Sequence, residues 1–227
     1  MCFLLTLGIF VQIKTVKNNN STVSNNYEEN SLRAEVLKYK EKYDNKYKEL
    51  EKAEEKLEQE RESSTKNDGE LQSKEEEITE GNKITGLTEV TGAGVIVTLT
   101  DSKKDISSSL NPSDLIVHDL DVLSVINELK NAGAEAISIN DQRIINMSDI
   151  VDINSDYSSF IKINGQRILS PYTIKAIGDP TYMESSLIGN GGVVDTMKKT
   201  GQDITIDKPN NVKILKYNGE IKTKYIE

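Results

Sequence analysis

Val36, Tyr43, Leu50, Leu57, Ser64, Leu71 and Ile78 stand seven residues apart, with Glu and Lys filling the intervals. Six of these seven positions are apolar, and a seven-residue apolar repeat suits a helix wound against a partner, because it keeps the apolar stripe on one side. The pattern predicts a coiled coil over residues 27–80. Its second seam is poorer: Leu32, Tyr39, Lys46, Ala53, Glu60, Asn67 and Lys74. Only the part from Leu32 to Leu57 keeps both seams mostly apolar. About 50 residues of helix would extend ~75 Å at ~1.5 Å per residue. Helix propensity is high through Glu58–Glu62 and falls at Ser63-Ser64-Thr65 and again at Asn67-Asp68-Gly69, where a break or stutter is expected. Such an arm serves as a spacer that joins two copies into a homodimer. The alternative is a solitary charged helix held by i,i+4 ion pairs.

Composition narrows the function classes. The net charge is −9 and the basic residues are diluted by acids, which excludes nucleic acid as a main partner, since phosphate contacts need clustered Lys and Arg. With no Trp and three Phe, a stacking platform for single strands is not expected either. The one cysteine, Cys2, allows no intramolecular disulfide and no cysteine-based zinc site. Only Met1 precedes it, so no lipoprotein signal is read there.

Residues 1–13, MCFLLTLGIFVQI, form an uncharged apolar run broken by Thr6, Gly8 and Gln12. A transmembrane helix takes ~20 apolar residues. Lys14-Thr15-Val16-Lys17 follows, without a small-x-small cleavage site, so a signal peptide fits poorly. Residues 1–14 therefore read as a truncated transmembrane segment, with translation assigned to an internal Met. Lys14 and Lys17 would hold the following side in the cytoplasm by the positive-inside rule. Residues 18–26, NNNSTVSNN, are rich in Asn and Ser, and residues 15–26 are expected to be a flexible linker.

Residues 86–217 have an ordinary globular composition, and roughly 130 residues suffice to bury a core. Gly92-Ala93-Gly94 opens a strand, Val95–Thr100, and Asp101–Ile116 reads as a long polar loop containing Asn111-Pro112. Asp119 is expected to cap a helix that ends at Gly133, with Val122, Leu123, Ile126 and Leu129 on its buried face. Residues 137–144, ISINDQRI, are echoed by residues 161–168, IKINGQRI. Asn-Asp and Asn-Gly tolerate positive φ, so both copies predict tight β-hairpins. A strand Tyr172–Ile177 follows. Asp179 and Pro180 suit the start of a helix. Gly189–Gly192 interrupts that helix, Val193–Thr200 resumes it and Gly201 ends it. Ile204–Ile206 and Val212–Leu215 are the last strands. The order predicts an α+β domain: a ferredoxin-like mixed sheet with helices packed on one face, then a charged tail over 218–227.

The run VHDLDVLSVINELKNAGAEAISINDQRI (117–144), with GAGVIVTLTD (92–101), IKINGQRILSPYTIKAIGDP (161–180) and the Gly191-Gly192 pair, resembles the YlxW-like family, domain of unknown function 881 and uncharacterised protein family 0749. The resemblance covers residues 86–216. It implies an N-terminal membrane helix and a coiled coil ahead of the domain, a spore-forming or related Gram-positive host, and genes of cell division as neighbours. The family has no established biochemical activity, so the resemblance carries over no catalytic residue. Asp141 stands where the family usually has Gly, and the tail Tyr217–Glu227 runs longer and more charged.

Candidate chemistry is thin. His118-Asp119-Leu120-Asp121 holds the only histidine, but a zinc site needs three or four ligands, and the two acids suit a helix start. No metal or cofactor is expected. Arg143 and Arg167 follow the two hairpin turns and are the candidate ligand-binding residues, for a phosphate or carboxylate. Gly189-Asn190-Gly191-Gly192 lacks the Lys-Ser/Thr of a phosphate loop and reads as a joint between helices. Ser107-Ser108-Ser109 has no base beside it, and no catalytic residue is assigned. The whole sequence thus reads as a non-enzymatic, single-pass protein of the cell membrane, with the α/β domain extracellular on a coiled-coil stalk. Its expected partners are the membrane, a second copy of itself and envelope or division proteins. A sensor-like domain for a small anionic ligand is the alternative.

Overall fold

The computed structural model describes residues 2–65, 69–103, 115–155 and 158–225. The chain divides into two compact units, Met1–Glu75 and Glu76–Glu227. The first is a long helix, α1 (Cys2–Thr65), with the start of α2 (Gly69–Thr85). The backbone stays helical through residues 15–26, where a flexible linker was expected. Asn and Ser are weak helix formers rather than breakers, and neither Gly nor Pro stands between Gly8 and Gly69. Near the end of α1, the hydroxyls of Ser63 and Ser64 both donate to the Glu60 carbonyl, at 2.9 and 2.8 Å, the competition that makes Ser a poor helix interior. Residues 66–68, part of the expected break, lie outside the described residues.

Among the described residues no helix is long and apolar enough to cross a membrane. The span expected over residues 1–14 is therefore not found. An apolar run of ~13 residues rises only ~20 Å, short of a hydrocarbon core of ~30 Å.

The second unit is built on a five-stranded sheet in the order β4-β3-β8-β2-β9. Its strands are β2 (Gly94–Thr100), β3 (Ala136–Ile139), β4 (Gln142–Arg143), β8 (Tyr172–Ile177) and β9 (Asp203–Asp207). Helix α3 (Asp119–Asn131) links β2 to β3. Helices α4 (Pro180–Ile188) and α5 (Val193–Thr200) link β8 to β9. Every described pairing in this sheet is antiparallel, which corrects the expected mixed sheet. Each β-α-β half returns its second strand parallel to the first but one place away, and the intervening place is taken by a strand of the other half. The pairing is therefore antiparallel throughout.

Val95, Val97 and Leu99 of β2 alternate onto the face that packs with Val122, Val125, Ile126 and Leu129 of α3 and Met183 and Leu187 of α4. On the opposite face Ala136, Ile177 and the partly buried Ile96 meet Val212 and Ile214. That second cluster lies under a two-stranded ribbon, β1 (Val90–Gly92) with β10 (Val212–Ile214). Strand β1 was not expected; three residues ending in Gly give no readable alternation. A third sheet, β5 (Ile150–Ser155), β6 (Ser158–Ile163) and β7 (Gln166–Ile168), contributes Ile161, Ile163 and Ile168 to the main core.

Both expected hairpins form. Asn140 and Asp141 take φ of 44° and 64°, and Asn164 and Gly165 take 50° and 79°, the paired positive angles of a type I′ turn. The start of α3 differs in detail. His118, not Asp119, is the capping position, and its backbone N–H donates to Asp121 Oδ2 at 2.9 Å. At α4, Asp179 Oδ1 accepts from the backbone of Thr181 and Tyr182, with Pro180 in the first turn. Most of the expected long loop, residues 104–114, lies outside the described residues, including Ser107–Ser109 and Asn111-Pro112.

Candidate functional site

The two arginines singled out by the hairpin repeat have different surroundings. Arg143 lies opposite Ser138 in the edge hairpin of the large sheet and is only 4% exposed. Its Nη1 donates to the Thr88 carbonyl at 3.4 Å, and its own carbonyl accepts from Asn164 Nδ2 at 2.9 Å. The close approach of the chain before Thr88 needs a glycine: Gly86 takes φ +83°, and a Cβ there would stand 2.8 Å from Ile145 Cγ2 and 3.3 Å from Arg143 Nε. Burial lowers the Arg143 pKa below its ordinary value, and desolvation is the cause. Arg143 borders a cavity of about 340 Å³ together with Lys130, Glu135, Ile137, Ile145 and Met147. A buried guanidinium with one long hydrogen bond has several N–H groups left for a ligand or water.

Arg167 sits instead on β7, opposite Lys162 in the three-stranded sheet, and is exposed. Its guanidinium carbon lies 4.6 Å from the centroid of the Phe160 ring, a cation–π arrangement. Among the described residues, the two arginines have no partner in common. The glycine joint is closed by its own chain. Gly192 N–H donates to the Gly189 carbonyl at 2.7 Å, and Gly191 N–H donates to Asp195 Oδ2 at 3.3 Å. A carboxylate thus already holds the place an anion would take at the start of α5.

Sequence reasoning missed a polar cluster around the start of α3. His118 Nδ1 lies 2.7 Å from Asp152 Oδ2, a residue of β5. Asp152 Oδ1 accepts from Asp119 N–H, and Asp119 Oδ2 accepts from Asp152 N–H, each at 3.1 Å. Asp121 Oδ2 accepts from Gln202 Nε2 at 3.1 Å, and the same amide donates to the Ile116 carbonyl at 2.6 Å. Nearby, Asp101 Oδ1 accepts from Val117 N–H at 2.9 Å. Asp101, Ile116, Val117, Leu169, Ser170 and Tyr172 line a second cavity, also about 340 Å³. The Tyr172 phenol is pushed up to about 12 by burial, with the Asp101 and Asp152 carboxylates adding to the shift. An imidazole held by a carboxylate is the arrangement of a general base. Here the same carboxylate also fastens the first turn of α3 to β5. Among the described residues no group of three or more His, Cys, Asp or Glu side chains is placed to hold a metal ion. Nothing in the sequence pairs His118 with a residue 34 positions away; only the fold does.

The model of the family described as "Bacterial protein of unknown function (DUF881)" matches residues 77–227. The chain belongs to the DUF881 family. It is similar to UPF0749 protein YlxW of Bacillus subtilis (strain 168), at 31% identity over 216 residues, covering 91% of this chain and 88% of that one. It is also similar to UPF0749 protein YlxX of the same organism, at 36% identity over 112 residues, covering 48% of this chain and 45% of the relative. The crystal structure of an uncharacterized conserved protein from Mycobacterium tuberculosis resembles it with a TM-score of 0.54 at 25% identity, over 66% of this chain and 98% of that one. The DUF881 match takes in the sheet, the cluster at His118 and the cavity beside Arg143. The whole of the first unit lies ahead of it.

Proposed function

We propose that the protein is a non-enzymatic scaffold of the cell envelope, dimeric through α1, held to the membrane by its N-terminal end and carrying the α/β domain outside. The observation that carries this reading is the uncovered apolar stripe of α1. Val36, Tyr43, Leu50 and Leu57 are 58%, 55%, 48% and 50% exposed. A repeating stripe left in water over several turns is a surface that another helix covers. The apolar run Cys2–Ile13 continues the same helix, which suits an anchor completed by interfacial insertion, local bilayer thinning or association. The link to cell division rests on the family resemblance alone. In the α/β domain, the order β3-β8-β2-β9 with helical links from β2 to β3 and from β8 to β9 fits a ferredoxin-like plan.

Sedimentation of the full chain tests the arm: a concentration-dependent dimer that dissociates on Leu50→Lys is expected, and a monomer at every concentration would sink the reading. For topology, Cys2→Ser with Asn218→Cys in the exposed tail is labelled on intact cells by a membrane-impermeant maleimide. Labelling before lysis is expected. Labelling only after lysis would put the domain in the cytoplasm, as Lys14 and Lys17 indicate. Loss of the protein is expected to change cell length or septum placement, and unchanged cells would remove the division link.

A second reading has its own observation: the buried Arg143 guanidinium beside a cavity that also meets Lys130 and apolar walls. It suits a small anion with an apolar part. Thermal-shift measurements with inorganic phosphate and short-chain carboxylates test it. A rise in Tm that Lys130→Gln removes is expected, and no shift at millimolar ligand would end this reading.

A further inference from the structure

We infer that the arm pairs with a second copy of this chain in antiparallel fashion over Leu32–Leu57. This rests on the dimeric arm proposed above and adds its direction, which the charges beside the stripe decide. With Val36, Tyr43, Leu50 and Leu57 at the first seam position of the heptad, Leu32, Tyr39, Lys46 and Ala53 take the second. The flanking positions then hold Arg33, Lys40, Tyr47, Glu54 and Arg61 on one side of the stripe. Glu35, Lys42, Glu49, Lys56 and Ser63 lie on the other. Flanking charges set the orientation of a coiled coil.

In a parallel pair, each residue of the second set faces the residue of the first set five positions on in the partner. Glu35 would meet Lys40, which is favourable. Glu49 would meet Glu54 and Lys56 would meet Arg61, which is not, and the symmetry doubles both repulsions. At the seam, two Lys46 side chains would face each other. In an antiparallel pair, each set faces itself. One register satisfies the stripe throughout, setting Leu57 against Leu32, Leu50 against Tyr39, Val36 against Ala53 and Tyr43 against Lys46. In that register Glu35 meets Lys56, Lys42 meets Glu49 and Arg33 meets Glu54, so all three charge pairs attract. Lys40 meets the Tyr47 hydroxyl and ring. Lys46 is relieved of its twin and lies by the Tyr43 ring, which accepts a cation on its face.

The pairs already present within one helix do not oppose this. Lys46 lies 2.6 Å from Glu49 and Lys56 lies 3.9 Å from Glu60, with every one of these side chains at least 66% exposed. Exposed pairs of this kind are weakly held and can be shared with a partner. Tyr43 and Tyr47 stack one turn apart, ring centroids 6.3 Å from each other. They present a joined aromatic surface at the centre of this register, where Lys40 and Lys46 of the other copy arrive. An antiparallel arm sends the two Thr65 ends out in opposite directions and separates the two Cys2 ends by ~130 Å along the continuous helix, so two N-terminal anchors in one membrane require the arm to lie along the membrane surface rather than stand off it.

The test uses the full chain in a Cys2→Ser background. Val36→Cys and Ala53→Cys are made singly, mixed and oxidised, and Leu50→Cys is oxidised alone. The antiparallel arm gives a cross-linked Val36→Cys/Ala53→Cys pair only in the mixture. It gives none for Leu50→Cys, whose two copies would lie ~16 Å apart along the axis. Self-linking of Leu50→Cys overturns the direction while leaving the dimer standing. A dimer that yields neither link overturns this seam. A monomer in sedimentation overturns the dimeric arm itself. Charge reversal gives an independent sign: Lys56→Glu should weaken self-association roughly tenfold when it faces Glu35. In a parallel pair it would strengthen association, because it removes the clash with Arg61. Lys38→Glu, on the outer face, should leave the dissociation constant unchanged.

Discussion

Leu50 and Leu129 are the same residue on helices of similar pattern, yet Leu50 is 48% exposed and Leu129 is 0% exposed. The helix of Leu129, α3, has a sheet of its own chain to lie on, and its apolar residues are spaced to meet it. The helix of Leu50 offers its own chain nothing comparable among the described residues of the first unit. Apolar residues in the α/β unit are accounted for within one molecule. In the arm the corresponding residues stand exposed, Val36 by 58% and Leu57 by 50%. The difference teaches where stability resides: in the sheet unit it belongs to the fold, and in the arm, under the proposed dimer, it would belong to association and so to concentration.

Substitutions that separate those two kinds of stability sharpen the comparison. The largest effect is expected at Gly94, where β2 passes so close to β8 that an added Cβ would stand 1.9 Å from the Ala176 carbonyl oxygen. Backbone cannot give way there without breaking the register, so Gly94→Ala should cost more than ~4 kcal/mol in urea unfolding of the α/β unit. If that unit unfolded unchanged, the pairing of β2 with β8 would be wrong. Leu129→Ala should cost ~2–5 kcal/mol by the lost burial and the cavity left behind. Leu57→Ala in the arm should leave the same transition where it is and instead raise the dissociation constant. A matched loss of stability at both sites, measured in dilute protein, would erase the distinction drawn here.

The next effect appears only in alkali. The Tyr172 phenol is held up to about 12 against an ordinary 10.0, so the folded state keeps its proton where the unfolded state releases it. Its contribution is intact below pH 10 and is lost as pH rises from 10 to about 12. Tyr172→Phe should therefore lose less stability than the native chain across that range. Equal pH slopes would mean that the phenol is not shielded. The smallest effect is a cap: Asp179→Ala should cost ~1 kcal/mol, because two backbone N–H groups of α4 lose their acceptor. In the arm, removing one exposed ion pair, as in Lys74→Ala, should change helix content by less than the error of a circular dichroism measurement.

Much of the α/β unit was legible because its signals are short. Asn140-Asp141 and Asn164-Gly165 announce their turns, Asp179-Pro180 announces a helix start and Gly201 an end. What failed was of two kinds. The linker expected over 15–26 failed because weak helix formers without Gly or Pro do not stop a helix already under way. The mixed sheet failed because strand direction depends on which half of the domain a neighbouring strand comes from, and no local residue records that. The candidate site was legible only in fragments. Arg143 stood out by its place after a turn, but its burial beside a cavity did not. His118 stood out as the lone histidine, but its partner Asp152 did not.

The sequence by itself therefore determined the seven-residue stripe, the two hairpin turns, the helix ends and the charges that flank the arm. All of these follow from interactions within a few positions along the chain. Only the tertiary structure decided that the sheet is antiparallel, that the β1–β10 ribbon covers its second face, that Asp152 reaches the start of α3 and that Arg143 lies buried. Each of those joins residues far apart in sequence. Their meeting is set by burying one common core, which no short stretch of sequence can encode alone.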